Sequence, residues 1–209
     1  GLFERTNVKN INVNNYQLSR NDALKMICDS IDSNSVVVTG TGMISREWYN
    51  IFSSYDHNNC LMNVGAMGHT SSLTLGLRLS KYQMPIYCIE GDGSLLMHLG
   101  CLPYITKYNK KKFVHIILNN GVHDTVGGQK TAAFDIELCK MADAFNYDYI
   151  YCVTKSNELS NILNEIKKLD GNIFLEIRIN NKKQIGINRP NYNFSYKSKA
   201  ISKYMNQEV

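Results

Sequence analysis

Short apolar runs recur along the chain, and amphipathic stretches separate them. The runs are SVVVT (35–39), CLMNV (60–64), PIYCIE (85–90), FVHIILN (113–119), YIYCV (149–153) and NIFLEIRI (172–179). Several are apolar at successive rather than alternate positions, the mark of a strand covered on both faces. Ahead of them, Leu24, Ile27, Cys28 and Ile31 make one stripe at helical spacing, with Ser19 as cap and Asp22 as its capping-box partner. Further helical stretches fall near 45–54, 69–81, 94–107, 135–146 and 156–169. Strands alternating with helices through right-handed crossovers predict an α/β fold: a doubly wound, mostly parallel six-stranded sheet with helices on both faces. This domain is expected over residues 18–180. Residues 1–17, polar and Asn-rich, read as a linker or arm, and 181–209 as a polar C-terminal extension. No internal repeat is visible.

Glycine clusters sit at one kind of place in this pattern. TGTG (39–42), GAMGH (65–69), GDGS (91–94) and NNG (119–121) each follow an apolar run. In a parallel sheet those strand ends share one edge, where ligands of such sheets bind. TGTG is not a dinucleotide fingerprint: Ser45 and Arg46 stand where a third glycine would fall, and no acidic residue ends the next strand. No phosphate-binding G-x-x-x-x-G-K-[ST] loop occurs either. GDG is more informative. Asp92 is a hard oxygen ligand at a strand exit, and Ser94 opens a helix whose free N–H groups favour an anion. Alone, this pattern is also what a turn with a helix cap looks like. After 25 further residues comes Asn119-Asn120 at the end of another apolar strand, where an amide is out of place without a task. A helix and a strand of separation return the chain to the same edge. Asp92 and an Asn carbonyl oxygen can then share Mg²⁺, which takes oxygen ligands and often phosphate oxygens.

Composition narrows the function classes. Of 209 residues, 44% are hydrophobic, so a packed core is affordable and disorder is excluded. No apolar run approaches membrane-spanning length, and no secretory leader opens the sequence. The six cysteines form no C-x-x-C pair, which suggests reduced thiols in a cytoplasmic protein rather than disulfides or a zinc site. A net charge of +5 with scattered tyrosines suits a small anionic substrate better than nucleic acid.

GDG followed by about 25 residues and NN resembles the signature of thiamine-diphosphate enzymes. NVGAMGHTSSLTLGL, GDGSLLMHLG and LNNGVHDTVGGQKT, with TGMISREW upstream, resemble the phosphonopyruvate and sulfopyruvate decarboxylases over about residues 18–190. The resemblance implies thiamine diphosphate and Mg²⁺ as cofactors, and the domain that binds the diphosphate. It implies Asp92, Asn120 and the Val122 carbonyl as metal ligands, with Asn119 as the fallback. Gly91, Gly93 and Ser94 would touch the diphosphate, and Thr41 is a further candidate, a strand-end cap being its alternative. The Gly65 carbonyl would accept from the aminopyrimidine, and Met67 would wedge the cofactor. His123 and Asp124 are candidates for catalysis. Arg46, Gln129 and Lys130 are candidates for the substrate's anionic tail, while His69, His57, His98 and His115 read as structural.

The reaction so implied is 3-phosphonopyruvate to phosphonoacetaldehyde and CO₂, or 3-sulfopyruvate to sulfoacetaldehyde. In such enzymes a Glu of a pyrimidine-binding domain activates the cofactor. Only Glu4 precedes the first strand here. A pyrimidine-binding domain or subunit is therefore the expected partner, in a dimer or higher oligomer, with a non-catalytic cofactor-binding scaffold as the rival.

Overall fold

The computed structural model describes residues 14–31, 34–52, 59–80, 84–109, 111–182, 186–187, 189–190 and 199–203. Six parallel strands form the central sheet: β1 (Val36–Thr39), β2 (Cys60–Met62), β3 (Ile86–Gly91), β4 (Phe113–Asn119), β7 (Tyr149–Val153) and β8 (Asn172–Arg178). Their order is β2-β1-β3-β4-β8-β7. Every residue of β1 and of β4 is buried, as their unbroken apolar runs require. Two residues each of β5 (Val122–His123) and β6 (Gln129–Lys130) make a separate antiparallel pair. This hairpin escapes a reading by periodicity, because two-residue strands have none.

Alternate residues of the central strands feed two cores. Val114, Ile116 and Leu118 pack with Leu24 and Ile27 of α1 (Arg20–Ser30), Trp48 of α2 (Met43–Phe52) and Leu159, Leu163 and Ile166 of α7 (Ser156–Ile166). On the other face, Phe113 and Ile117 meet Leu95 of α4 (Asp92–Met97), Leu102 and Ile105 of α5 (Leu102–Tyr108), and Leu138 and Ala142 of α6 (Leu138–Ala144). Helix α3 (Thr70–Leu79) adds Leu73 and Leu77 to that face.

The helix expected over 94–107 is two. Helix α4 ends at Met97, a 3₁₀ turn spans Leu99–Cys101, and α5 starts at Leu102 with Pro103 in its first turn. Proline lacks the N–H that a continuous helix would need there, and Gly100 adds a weak point. The helix expected over 135–146 is confined to Leu138–Ala144, closed by Asn146 in a left-handed conformation.

The strand order reverses between β1 and β3, since β2 lies on one side of β1 and β3 on the other. Chains diverging at such a point leave a crevice beyond the carboxyl ends of the strands. The loops opening there carry Thr41 after β1 and Asp92 after β3. At the domain's margin, the Asn180 backbone N–H donates to the Leu18 carbonyl at 2.8 Å, and its side chain donates to the carbonyls of Tyr16 and Gln17. No described helix is long and apolar enough to cross a membrane.

Candidate cofactor and metal site

A cleft open to solvent lies at the crevice. Its lining includes Gly91–Ser94, Asn120 with Val122–Val126, Thr41 and Met67. Gly91 pairs with Leu118 across β3 and β4, so the GDG and NN exits lie side by side on one edge.

Asp92 is the first residue of α4, with a relative exposure of 2%. Burial pushes its carboxyl above the usual carboxylate range. The Thr131 hydroxyl donates to Oδ2, and the backbone of Asp92 itself and of Asn120 opposes the shift, as does the nearby His123 ring. Asn120 lines the same cleft, and its Oδ1 accepts the Val122 N–H at 3.1 Å. Asn119 faces the other way. Its amide donates to Glu176 Oε1 at 2.8 Å, and its Oδ1 accepts the Gly121 N–H at 3.1 Å. Both ends of that side chain are thus engaged, and Asn119 does not line the cleft.

Close backbone approach shapes the rest. A Cβ on Gly93 would lie 2.5 Å from His123 Cε1, so the histidine ring rests directly on the GDG turn. Gly121, with φ +71, turns the chain after the Asn pair, and a Cβ there would collide with Phe134. Ser94 Oγ donates to Glu90 Oε2 at 2.6 Å and accepts the Gly68 N–H at 3.1 Å, tying α4 to the loop that carries Met67. The Thr41 hydroxyl accepts the Gly65 N–H at 3.2 Å, and Gly65 itself stands outside the cleft lining. Asp124 forms an ion pair of 3.0 Å with Arg20.

Three expected anion contacts are not brought to the cleft. Gln129 and Lys130 are exposed on β6, and Arg46 is half-buried on α2. The strand of Gln129 and Lys130 pairs with β5, whose Val122 and His123 do line the cleft. The lining cation is Arg20, which pairs with Glu47 at 2.8 Å as well as with Asp124. Its sequence signal was a charge on the apolar stripe: Arg20 shares the buried face of α1 with Ala23, Leu24 and Ile27. Thr131 lies within the LNNGVHDTVGGQKT stretch, but only the hairpin brings it onto Asp92. His115, read as an ordinary strand residue, is fully buried between Glu90 Oε1 at 2.9 Å and the Tyr147 hydroxyl at 2.8 Å.

Comparison with known proteins bears on these features. Residues 40–177 match the family described as thiamine pyrophosphate enzyme, C-terminal TPP binding domain. Phosphonopyruvate decarboxylase of Streptomyces viridochromogenes is 33% identical, the match covering 80% of this chain and 41% of the relative. Sulfopyruvate decarboxylase subunit beta of Methanocaldococcus jannaschii is 32% identical, covering 71% of this chain and 79% of the relative. The chain thus spans about two fifths of the phosphonopyruvate decarboxylases it matches and about four fifths of that beta subunit. The structure of benzoylformate decarboxylase from Polynucleobacter necessarius shares the fold, with a TM-score of 0.67 at 15% identity over 80% of this chain and 34% of that one. With a parallel sheet, a switch-point cleft and the matched stretch enclosing every strand but β1 and the last residue of β8, the chain belongs to the thiamine pyrophosphate enzymes and carries their C-terminal TPP binding domain.

Proposed function

We propose that the chain is the diphosphate-binding half of a thiamine-diphosphate- and Mg²⁺-dependent 2-keto acid decarboxylase, acting on 3-phosphonopyruvate. The observation carrying this is the buried carboxylate of Asp92, which faces Asn120 and Val122 in the switch-point cleft. A carboxylate kept from water is costly until a cation joins it. Asp92, Asn120 and the Val122 carbonyl offer oxygen donors only, a set that fits a hard divalent ion. When bound, thiamine diphosphate supplies the carbanion that attacks the keto carbon and the electron sink that lets CO₂ depart.

The chain's own residues orient and protect. Gly91, Gly93 and Ser94 present the start of α4 to the diphosphate, where N–H groups favour anions. Met67 supports the cofactor from the facing loop, with Gly65 and Thr41 fixing that loop by their hydrogen bond. His123, held against Gly93, delivers a proton from a ring nitrogen to the carbon that loses CO₂. Asp124 acts through Arg20, keeping its guanidinium on the cleft wall.

No glutamate lines the cleft among the described residues. The activating Glu is therefore assigned to a pyrimidine-binding domain or subunit. Arg20 is neutralised by two carboxylates, so it is a poor receptor for a dianion. Contact with the substrate's tail then falls to that partner, with Arg46, Gln129 and Lys130 as the chain's own candidates. Sulfopyruvate is the second reading, favoured by the 32% identity over 79% of a beta subunit. The test combines the chain with a pyrimidine-binding partner, thiamine diphosphate and Mg²⁺, and follows CO₂ from each keto acid. Release from 3-phosphonopyruvate in preference to 3-sulfopyruvate supports the first reading, and the reverse preference the second. Cofactor binding without CO₂ from any 2-keto acid sinks both.

A further inference from the structure

We propose that Cys139 and Cys152 are a redox-active thiol pair, closed into a disulfide by exchange with a small-molecule disulfide. The site lies away from the cofactor cleft, and the inference does not depend on the decarboxylase reading. The two sulfurs and a carboxylate oxygen of Glu176 lie within 4.8 Å of one another. Cys139 comes from the first turn of α6, and Cys152 from β7, which among the described residues pairs only with β8 at the sheet's border. A helix and the edge strand that follows it thus bring an exposed and a half-buried thiol together.

The two thiols are unequal, which gives the exchange a direction. Cys152 is exposed and Cys139 half-buried. Cys139 also lies 3.6 Å from the Tyr151 carbonyl and 3.8 Å from Glu176 Oε2, both acceptors for its proton. The neighbouring Cys139 thiol lowers the Cys152 thiol below its ordinary value and the Arg178 guanidinium acts in the same sense, while burial and Glu176 oppose them. The same proximity, with burial, raises Cys139. An accessible, more acidic thiol beside a sheltered one is the arrangement of an attacking and a resolving cysteine. Cys28 and Cys88, by contrast, are pushed up by burial, and the other titratable cluster, around Cys88, contains no second cysteine.

The chemistry balances with one oxidant. The Cys152 thiolate attacks one sulfur of the small disulfide, forming a mixed disulfide and releasing one small thiolate. Cys139 then gives its proton to water and attacks the Cys152 sulfur, expelling the second small thiolate. Two protein thiols lose two electrons, and the small disulfide is reduced to two thiols. The sulfurs must close from within 4.8 Å to a bonding distance of about 2.0 Å. Glu176 also holds Asn119 and Arg178, so the bond would form one contact away from the Asn119–Gly121 turn.

The experiment treats the reduced full chain with glutathione disulfide, blocks residual thiols and maps peptides by mass. A cross-link between the peptides holding Cys139 and Cys152, with loss of two hydrogens, is the expected result. Cys139→Ser should keep a stable glutathionyl group on Cys152, and Cys152→Ser should leave Cys139 unmodified. Circular dichroism of each variant verifies folding. A lasting mixed disulfide on Cys152 in the unmutated chain, a cross-link to a different cysteine, or no reaction in folded protein would each overturn the proposal.

Discussion

Asp92 shows how one side chain can be unfavourable for folding and necessary for binding. Its folded-state carboxyl titrates above the unfolded value because it is buried. The ionised form therefore destabilises the ligand-free fold above the raised value, and that penalty fades as pH falls toward the ordinary carboxylate range. Asp92→Asn is expected to melt higher than the unmutated chain at neutral pH without Mg²⁺, the gap closing on acidification. Scanning calorimetry across pH checks this. The same variant should bind thiamine diphosphate with Mg²⁺ at least about a hundredfold more weakly, read by titration calorimetry, since loss even of an outer-shell partner costs roughly tenfold to a hundredfold. Equal affinity in variant and parent would remove Asp92 from the metal site. Gly93→Ala tests the neighbouring contact: its methyl group would displace His123, whose ring atoms stand 2.5 and 2.7 Å from the added carbon. Turnover with the partner half present should fall by about tenfold or more, because misplacing a reacting group by about 1 Å can lower the rate a hundredfold. At this scale the sequence exposed what strand-exit grammar controls. Asp92 and Asn120 were legible as candidates because a carboxylate and an amide are uncommon at the exits of apolar strands, although a turn with a helix cap writes the same GDG and only the structure separates Asn120 from Asn119. Arg20 was not, because a charge in the first turn of a helix ordinarily faces water, and its burial depends on Glu47 and Asp124 arriving from elsewhere.

Among elements, β3 and β4 do more than frame the cleft. Glu90 on β3 and His115 on β4 form a fully buried pair that reaches Ser94 of α4 at one end and Tyr147, just after α6, at the other. The chain of hydrogen bonds joins the loop carrying Gly68 to the far side of one core, so the cleft wall is braced through the sheet. Tyr147→Phe removes one hydroxyl and leaves His115 Nδ1 without that bond. The expected loss is about 1–3 kcal/mol by urea denaturation, the usual penalty for stranding a buried polar group, with cofactor affinity changed far less. The brace was invisible in the sequence, where FVHIILN reads as an apolar strand with one odd histidine. The strands themselves were plain, since runs apolar on both faces admit few other readings. Helices were bounded less well wherever proline or glycine interrupted the pattern, as at 98–103.

For the molecule as a whole, the electrostatics of the cleft predict dependence on another half. Among the described residues its lining carries one cation, Arg20, already matched by two carboxylates, and no glutamate. The chain alone should bind thiamine diphosphate with Mg²⁺ yet release no CO₂ from 3-phosphonopyruvate above background. Turnover should emerge only on mixing with a pyrimidine-binding partner. Turnover by the purified chain alone would contradict the division of labour drawn here. One further property follows from the contact of Asn180 with Tyr16, Gln17 and Leu18. Residues 16–18 and Asn180 hold the two approaches to the sheet side by side, while Asn14 runs on to the Asn120 carbonyl and Ile201 stays buried. A unit whose flanks meet can be carried in polypeptides of different length, which accords with a match covering 79% of one relative and 41% of another.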